Sequence, residues 1–182
     1  MAKRESVVLC EWSPDWHPAF TEKARQLRRH LGSLALRIDH IGSTAVKGLA
    51  AKPIIDIQIS VADFEPIANI AEPLRQAGYL WRADNTELTK RYFREMPGAE
   101  RTHIHVRIAG SWHEQRALLF RDYLRNHAAA CHQYEAVKRQ LAASFRDDRL
   151  AYTEGKSEVI WSILQRADRW AAETGWQAGE TD

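Results

Sequence analysis

Apolar positions in this chain recur with two periods, and the mixture changes once, near residue 110. Phe20, Ala24, Leu27 and Leu31 fall at helical spacing. Ser13 and Pro14 precede them as an expected N-cap and first helical residue, and Gly32 follows as the stop. Residues 7–12 read as a short strand or an extended arm, and 34–41 as a strand. A loop rich in small residues spans 42–53, and a second strand over 54–61 alternates around Asp56, Gln58 and Ser60.

Beyond that strand, Asp63 is the expected cap of a helix through Ala77, ended by Gly78, with Pro73 as an obstacle inside it. Residues 79–82 predict a short strand. Residues 89–96 and 101–109 predict a hairpin about Pro97-Gly98. From Trp112 onward no strand pattern recurs. Phe120, Tyr123, Leu124 and His127 share one helical face, as do Tyr134, Val137, Leu141 and Phe145. Val159, Ile160, Ile163, Leu164, Ala167, Trp170 and Ala171 form a third such set, and 175–182 reads as a frayed polar tail.

The pattern therefore predicts an α/β (α+β) fold, a mixed sheet with helices followed by a helical C-terminal part. One domain is expected over 1–182, with the sheet to about 110, helices over about 111–174, then the tail. The strand order is not set by this pattern.

Composition narrows the function classes. Apolar residues are 45% and charged residues 27%, as in a globular domain, and the net charge of +2 argues for neither nucleic acid nor a membrane surface. Cys10 and Cys131 are far apart, which is neither a disulfide framework nor a zinc site. Lys3 and Arg4 are followed by too short an apolar run for a secretory signal, and no stretch is long enough to span a membrane. A cytoplasmic location is the expectation.

The segment with the most chemistry runs from His40 to Ile57: His-Ile-Gly-Ser-Thr-Ala-Val-Lys-Gly-Leu-Ala-Ala-Lys-Pro-Ile-Ile-Asp-Ile. Gly42 would let a phosphate approach the backbone, and N–H groups with the Ser43 and Thr44 hydroxyls would cradle it. Lys52 would add charge, and Asp56 would hold a divalent metal bridging to the phosphates. An ordinary turn between strands accounts for the same Gly-Ser. The segment matches neither the P-loop nor the dinucleotide fingerprint.

This segment resembles the signature of the GrpB family, His-Ile-Gly-Ser-Thr-Ala-Val-x-Gly-Leu-x-Ala-Lys-Pro-x-Ile-Asp-Ile. So do His103-Ile104-His105-Val106, the run from Phe120 to His127, Tyr134 to Lys138, and Tyr152 to Lys156. The resemblance implies a mixed sheet of the nucleotidyltransferase type, whose superfamily motif is Gly-Ser after a strand, then two acids one residue apart on the next. Similar domains are fused to dephospho-coenzyme A kinase, a hint of nucleotide or coenzyme chemistry.

On that pattern the catalytic pair falls at Asp56 and Gln58, so one acid is replaced by an amide, a poor substitute beside magnesium. A third acid on a later strand is not evident. That strand instead aligns His103, His105 and Arg107 on one face and Ile104, Val106 and Ile108 on the other. The histidines are open to three readings: a solvated face, contacts to phosphate, or a transition-metal site with Asp56. Tyr134 and Lys138, Tyr152 and Lys156, and Arg121 and Arg125 are each four apart and share helix faces. Lys138 and Lys156 are either solvated or reach a triphosphate held by the loop.

The expected phosphate- or nucleotide-binding set is thus Gly42, Ser43, Thr44, Lys52, Lys138 and Lys156, and the expected metal set Asp56, His103 and His105. The expected cofactors are a divalent metal, magnesium or a transition metal, and a nucleoside triphosphate. The expected partner is a small-molecule nucleotide with an unidentified acceptor, without membrane or nucleic acid. Whether the chain is an enzyme stays open between a nucleotidyltransferase and a degenerate nucleotide- or partner-binding module.

Overall fold

Strand alternation resolves into a five-stranded mixed sheet in the computed structural model, which describes residues 6–181. The charged N-terminal residues Lys3 and Arg4 lie outside the described residues. The strands are β1 (Arg37–Ile41), β2 (Ile55–Val61), β3 (Tyr79–Trp81), β4 (Arg91–Glu95) and β5 (Thr102–Ile108), in the order β1-β2-β5-β4-β3. The β2-β5 pair is parallel, and the other neighbours are antiparallel. The hairpin expected around Pro97-Gly98 is β4-β5, with Arg94 opposite His103.

Register gives the sheet two unlike faces. Asp56 pairs with His103, Gln58 with His105 and Ser60 with Arg107. Because alternate side chains share a face, these six form a polar stripe, while Ile57, Ile59, Ile104 and Val106 line the other side. The apolar side packs under α1 (Trp16–Leu31) and α2 (Ala68–Gln76), which contribute Phe20, Leu27, Leu31, Ile70 and Leu74 to one core. A second apolar cluster joins α3 (Trp112–Asn126), α4 (Ala128–Ser144) and α6 (Ser157–Thr174) to Val46 and Leu49 of the β1-β2 loop. The short α5 (Arg149–Glu154) lies between α4 and α6 in the chain.

The helical part docks on the polar face through α3. Ser111 caps α3 by accepting the Glu114 N–H, and Glu114 is buried, accepting from Ser60 Oγ and from the Gly110 N–H at 2.5 Å. Among the described residues no helix is long and apolar enough to cross a membrane.

Several boundaries differ from the expectation. Asp15, not Ser13, is the N-cap residue of α1; the Ser13 hydroxyl accepts the Asp15 N–H at 3.2 Å and closes a turn just before the helix. β1 starts at Arg37 rather than residue 34, because Gly32 at φ +54° leads into a 3-10 turn over Gly32–Leu34. α2 starts at Ala68, since Asp63 instead accepts the Glu65 N–H in a turn ahead of Pro66. Residues 7–12 form the extended arm, bridged at Cys10 to Ala51.

The tail does not fray over its described part. Arg37 donates to the Gly179 carbonyl at 2.8 Å, and Thr181 Oγ1 accepts the Ile38 N–H at 3.0 Å. Polar composition suggested a solvated tail, but the outer edge of β1 offers backbone groups that attract a partner.

Phe20 is fully buried and stacks on the His40 ring at a 4.7 Å centroid distance, so α1 supports the strand that leads into the loop. Phe20→Ala is expected to cost about 3–5 kcal/mol of unfolding free energy. Urea denaturation followed by circular dichroism checks this; a loss below about 1 kcal/mol would mean that the contact does not anchor β1.

Candidate functional site

The polar stripe opens into a cavity of about 340 Å³ at the end of β2 where the strand begins. Gly42, Ser43, Thr44, Lys52, Asp56, His103, His105, Lys138 and Lys156 all line it. Of the residues proposed from sequence, only Gln58 is absent from its walls. Gln58 is fully buried, one repeat further along β2, and its Nε2 donates to the Glu114 carbonyl at 3.3 Å. The docking of α3 covers that level of the sheet, so Gln58 is not placed beside Asp56 as a cleft group. Its Oε1 is buried without a partner.

The loop is held by side chains from both halves of the fold. On the α1 side, His40 Nε2 lies 3.0 Å from Thr44 Oγ1, which donates to the Ile54 carbonyl at 3.1 Å. From α3, Arg121 donates to the His40 carbonyl at 3.1 Å and Arg125 to the Ala45 carbonyl at 3.0 Å. From α4, Glu135 accepts the Ala50 N–H at 3.1 Å, and Lys138 donates to the Ala50 carbonyl and, at 3.1 Å, to Ser43 Oγ. The N–H groups of Ala45, Val46, Leu49 and Ala51 are bonded within the fold. Among the described residues, no backbone bond of this loop uses the N–H of Ser43 or Thr44.

Gly42 has two reasons to lack a side chain. Its φ of +72° with ψ of −170° is open essentially to glycine alone. A Cβ there would also sit 2.7 Å from Asp56 Oδ2.

Asp56 Oδ1 lies 3.2 Å from His103 Nδ1 and 3.5 Å from His105 Nε2. One donor atom from each of the three lies within 4.8 Å of the others. Burial works to raise the Asp56 carboxyl, but the two imidazole hydrogen bonds outweigh it and hold the group well below the carboxylate range. Burial lowers His105, which favours a neutral ring able to ligate. Tyr92, opposite His105 on β4, packs against both rings at 5.6 and 5.3 Å.

Two imidazoles and one carboxylate suit a transition metal. They do not suit magnesium, which takes an oxygen octahedron, and Gln58 supplies no oxygen to the cleft.

Opposite this trio the cavity is basic. Lys52, Lys90, Lys138, Arg149 and Lys156 line it against the single carboxylate of Asp56. Burial first, then the repulsion of Lys156 and Arg149, lowers Lys52 to about 8. Burial, then Lys156, lowers Lys138 to about 7. Lys138 lies over the ring of Tyr134, its neighbour on α4, at 4.8 Å; Lys156, between α5 and α6 rather than on the helix of Tyr152 as expected, lies over the Tyr152 ring at 4.8 Å. Lys52 approaches the same Tyr152 ring at 5.3 Å.

Sequence reasoning missed Lys90, Tyr92 and Arg149. Strand alternation could have placed Tyr92 opposite His105, and Lys90 with it. Arg149 stands in an Arg-Asp-Asp-Arg run that carries no periodic signal.

Sheet order, loop and cleft define a nucleotidyltransferase-type fold. A solved structure of terminal uridylyl transferase 4 from Trypanosoma brucei with bound UTP is similar to this chain at a TM-score of 0.50 and 16% identity, over 87% of this chain and 53% of that one. At that identity the likeness concerns the fold. The chain belongs to the GrpB family: the family pattern, GrpB protein, matches residues 6–166. The crystal structure of GrpB from Enterococcus faecalis is similar at a TM-score of 0.81 and 32% identity, covering 90% of this chain and 99% of that one. UPF0157 protein YqkA of Bacillus subtilis (strain 168) is 34% identical over 167 residues, 92% of this chain. The chain spans about half of YqkA, 49% of its length.

Two substitutions check the geometry. Gly42→Ala should cost about 1–3 kcal/mol and displace the Asp56 carboxylate, seen as a lower urea midpoint together with shifted His103 and His105 ring resonances. Gln58→Glu should destabilise by on the order of 3 kcal/mol, because it buries a second carboxylate beside Glu114. A stable Gln58→Glu protein that gains metal affinity would place this residue in the cleft after all.

Proposed function

We propose that the cleft binds the phosphate chain of a nucleotide, with Asp56, His103 and His105 holding a transition-metal ion at its edge. One observation carries the reading: Lys52, Lys138 and Lys156, each set on an aromatic ring, converge on one carboxylate around a Gly-Ser turn. A polyphosphate is the ligand that such a charge balance recognises. Ser43 and Thr44 N–H groups would bond phosphate oxygens, as in other backbone anion nests. Lys52 and Lys156, set on the Tyr152 ring, would neutralise the outer phosphates. Lys138 would hold Ser43 in place and add charge from below. A bound metal would supply Lewis-acid stabilisation to a phosphoryl oxygen.

If the protein turns over, an acceptor hydroxyl would attack the α-phosphorus in line with the leaving pyrophosphate. The binding reading has the firmer support. Magnesium-dependent transfer wants several anionic oxygens, and Asp56 is the only carboxylate among the described residues that line this cleft.

Calorimetry with tripolyphosphate and with nucleoside triphosphates tests this, alone and with manganese, zinc or magnesium. Binding is expected without metal, strengthened by manganese or zinc more than by magnesium. Lys52→Gln and Lys156→Gln should each weaken it about tenfold, or about 1.4 kcal/mol. Asp56→Asn and His105→Ala should remove the metal effect. No anion binding under any condition would refute the reading.

A pH prediction follows from the lysines. An anion favours their charged form, so it raises pKa values that lie at about 8 for Lys52 and about 7 for Lys138. Binding at pH 8 should therefore take up protons, and affinity should fall as pH rises above 7. Titrations in buffers of different ionisation enthalpy measure the uptake; a value of zero would place both lysines away from the ligand.

A further inference from the structure

A second cavity, of about 480 Å³, shares the Phe120 ring with the first. Its walls include Glu87, Thr89, Arg107, Arg116 and Leu164. Arg107 follows His105 by two residues on the same face of β5, about 7 Å along the strand. Glu87 joins the two cavities, pairing with Lys90 of the first at 2.7 Å and with Arg107 of the second at 3.1 Å. Arg107 also donates to Thr89 Oγ1 at 3.1 Å, yet its buried Nε has no partner.

One wall residue, Arg116, is held by aromatic rings. Arg116 lies between two indoles, 4.9 Å from the Trp112 ring centre and 4.4 Å from that of Trp161. Both tryptophans are more than half exposed, at 58% and 53%. Arg116 makes no ion pair among the described residues, so the rings hold its plane while its N–H donors stay available. Two exposed tryptophans by themselves are ordinary surface. Here they hold Arg116, which lines the cavity with Phe120 and Leu164 as apolar walls and Glu87, Thr89 and Arg107 as polar ones, the composition of a ring-binding pocket. Its size lies within the range of small-ligand sites, about 300–1,000 Å³.

We infer that this second cavity takes a planar heteroaromatic ring, the nucleobase of the ligand whose phosphates lie in the first. The ring would rest against Phe120, and the Arg116 donors would meet its ring nitrogens or carbonyl oxygens. Joining ring and phosphates into one molecule rests on the phosphate reading above; the ring site itself rests on Phe120, Leu164 and Arg116, which the two indoles hold in place.

The test compares tripolyphosphate with each common ribonucleoside triphosphate by calorimetry, on wild type, Arg116→Ala and Trp161→Ala. Both substituted positions are helix-surface residues, and circular dichroism confirms folding. At least one nucleoside triphosphate should bind ten times more tightly than tripolyphosphate. Arg116→Ala should erase that advantage while leaving tripolyphosphate binding within twofold, and Trp161→Ala should reduce it. Equal binding of both probes by wild type, or an advantage that survives Arg116→Ala, would overturn the ring site and leave the phosphate reading intact. Should tripolyphosphate fail to bind, nucleosides are titrated against tryptophan fluorescence. Quenching that Arg116→Ala abolishes would uphold the ring site and sink the phosphate reading, whereas no quenching would sink both.

Discussion

Main-chain carbonyls of the β1-β2 loop, gripped by charged side chains of two helices, join the halves of this fold. Arg121 and Arg125 reach from α3, and Glu135 and Lys138 from α4, each to a backbone group of the segment around His40 to Ala50. Charged donors and acceptors make such bonds stronger than neutral ones. The two apolar clusters are otherwise distinct, one under the sheet and one among the helices. The loop joins them, packing Val46 and Leu49 into the helical cluster while charged side chains grip its backbone. The shape of the anion-sized cleft is therefore set by how both halves pack, and loosening α4 would release Ser43 as surely as altering the loop itself.

Much of this arrangement was legible in the chain. Period-two alternation put His103 and His105 on one face of their strand, and the β2-β5 register brought Asp56 beside them. Helical spacing paired Tyr134 with Lys138, which share α4 and touch; Lys156 lies between α5 and α6 rather than on the helix of Tyr152, yet still reaches that ring. Gln58 shows the limit of such reasoning. Periodicity gives the face a side chain occupies, but not how far along that face a helix docks; Glu114 of α3 decides that. The Ser111-x-x-Glu114 spacing is a capping signal at the start of α3 that the sequence reading did not use. The tail was misjudged because its order comes from the unpaired edge of β1, a property of another segment.

On the proposed function, the acid inventory sets this site apart from magnesium-dependent phosphoryl transfer. A strand position that would carry an acid holds His103, directly beside Asp56, and the next holds His105. Replacing carboxylates by imidazoles lowers the negative charge of the cleft and changes its preference from hard to borderline cations. The same replacement leaves the surrounding lysines less neutralised, which raises the attraction for a bare anion. On the proposed function, metal preference and anion preference would be two results of one exchange of side chains.

The supports of those lysines have a consequence for how ligands arrive. A carboxylate that held Lys52, Lys138 or Lys156 in place would also cancel its charge. Aromatic rings attract an ammonium through their quadrupole and leave its net charge intact. Positioning and neutralisation are thus decoupled, and positive potential can extend out of the cleft into solvent. If the cleft takes an anion as proposed, encounter would be a steered process, fast at low ionic strength and slowing steeply as salt screens the field.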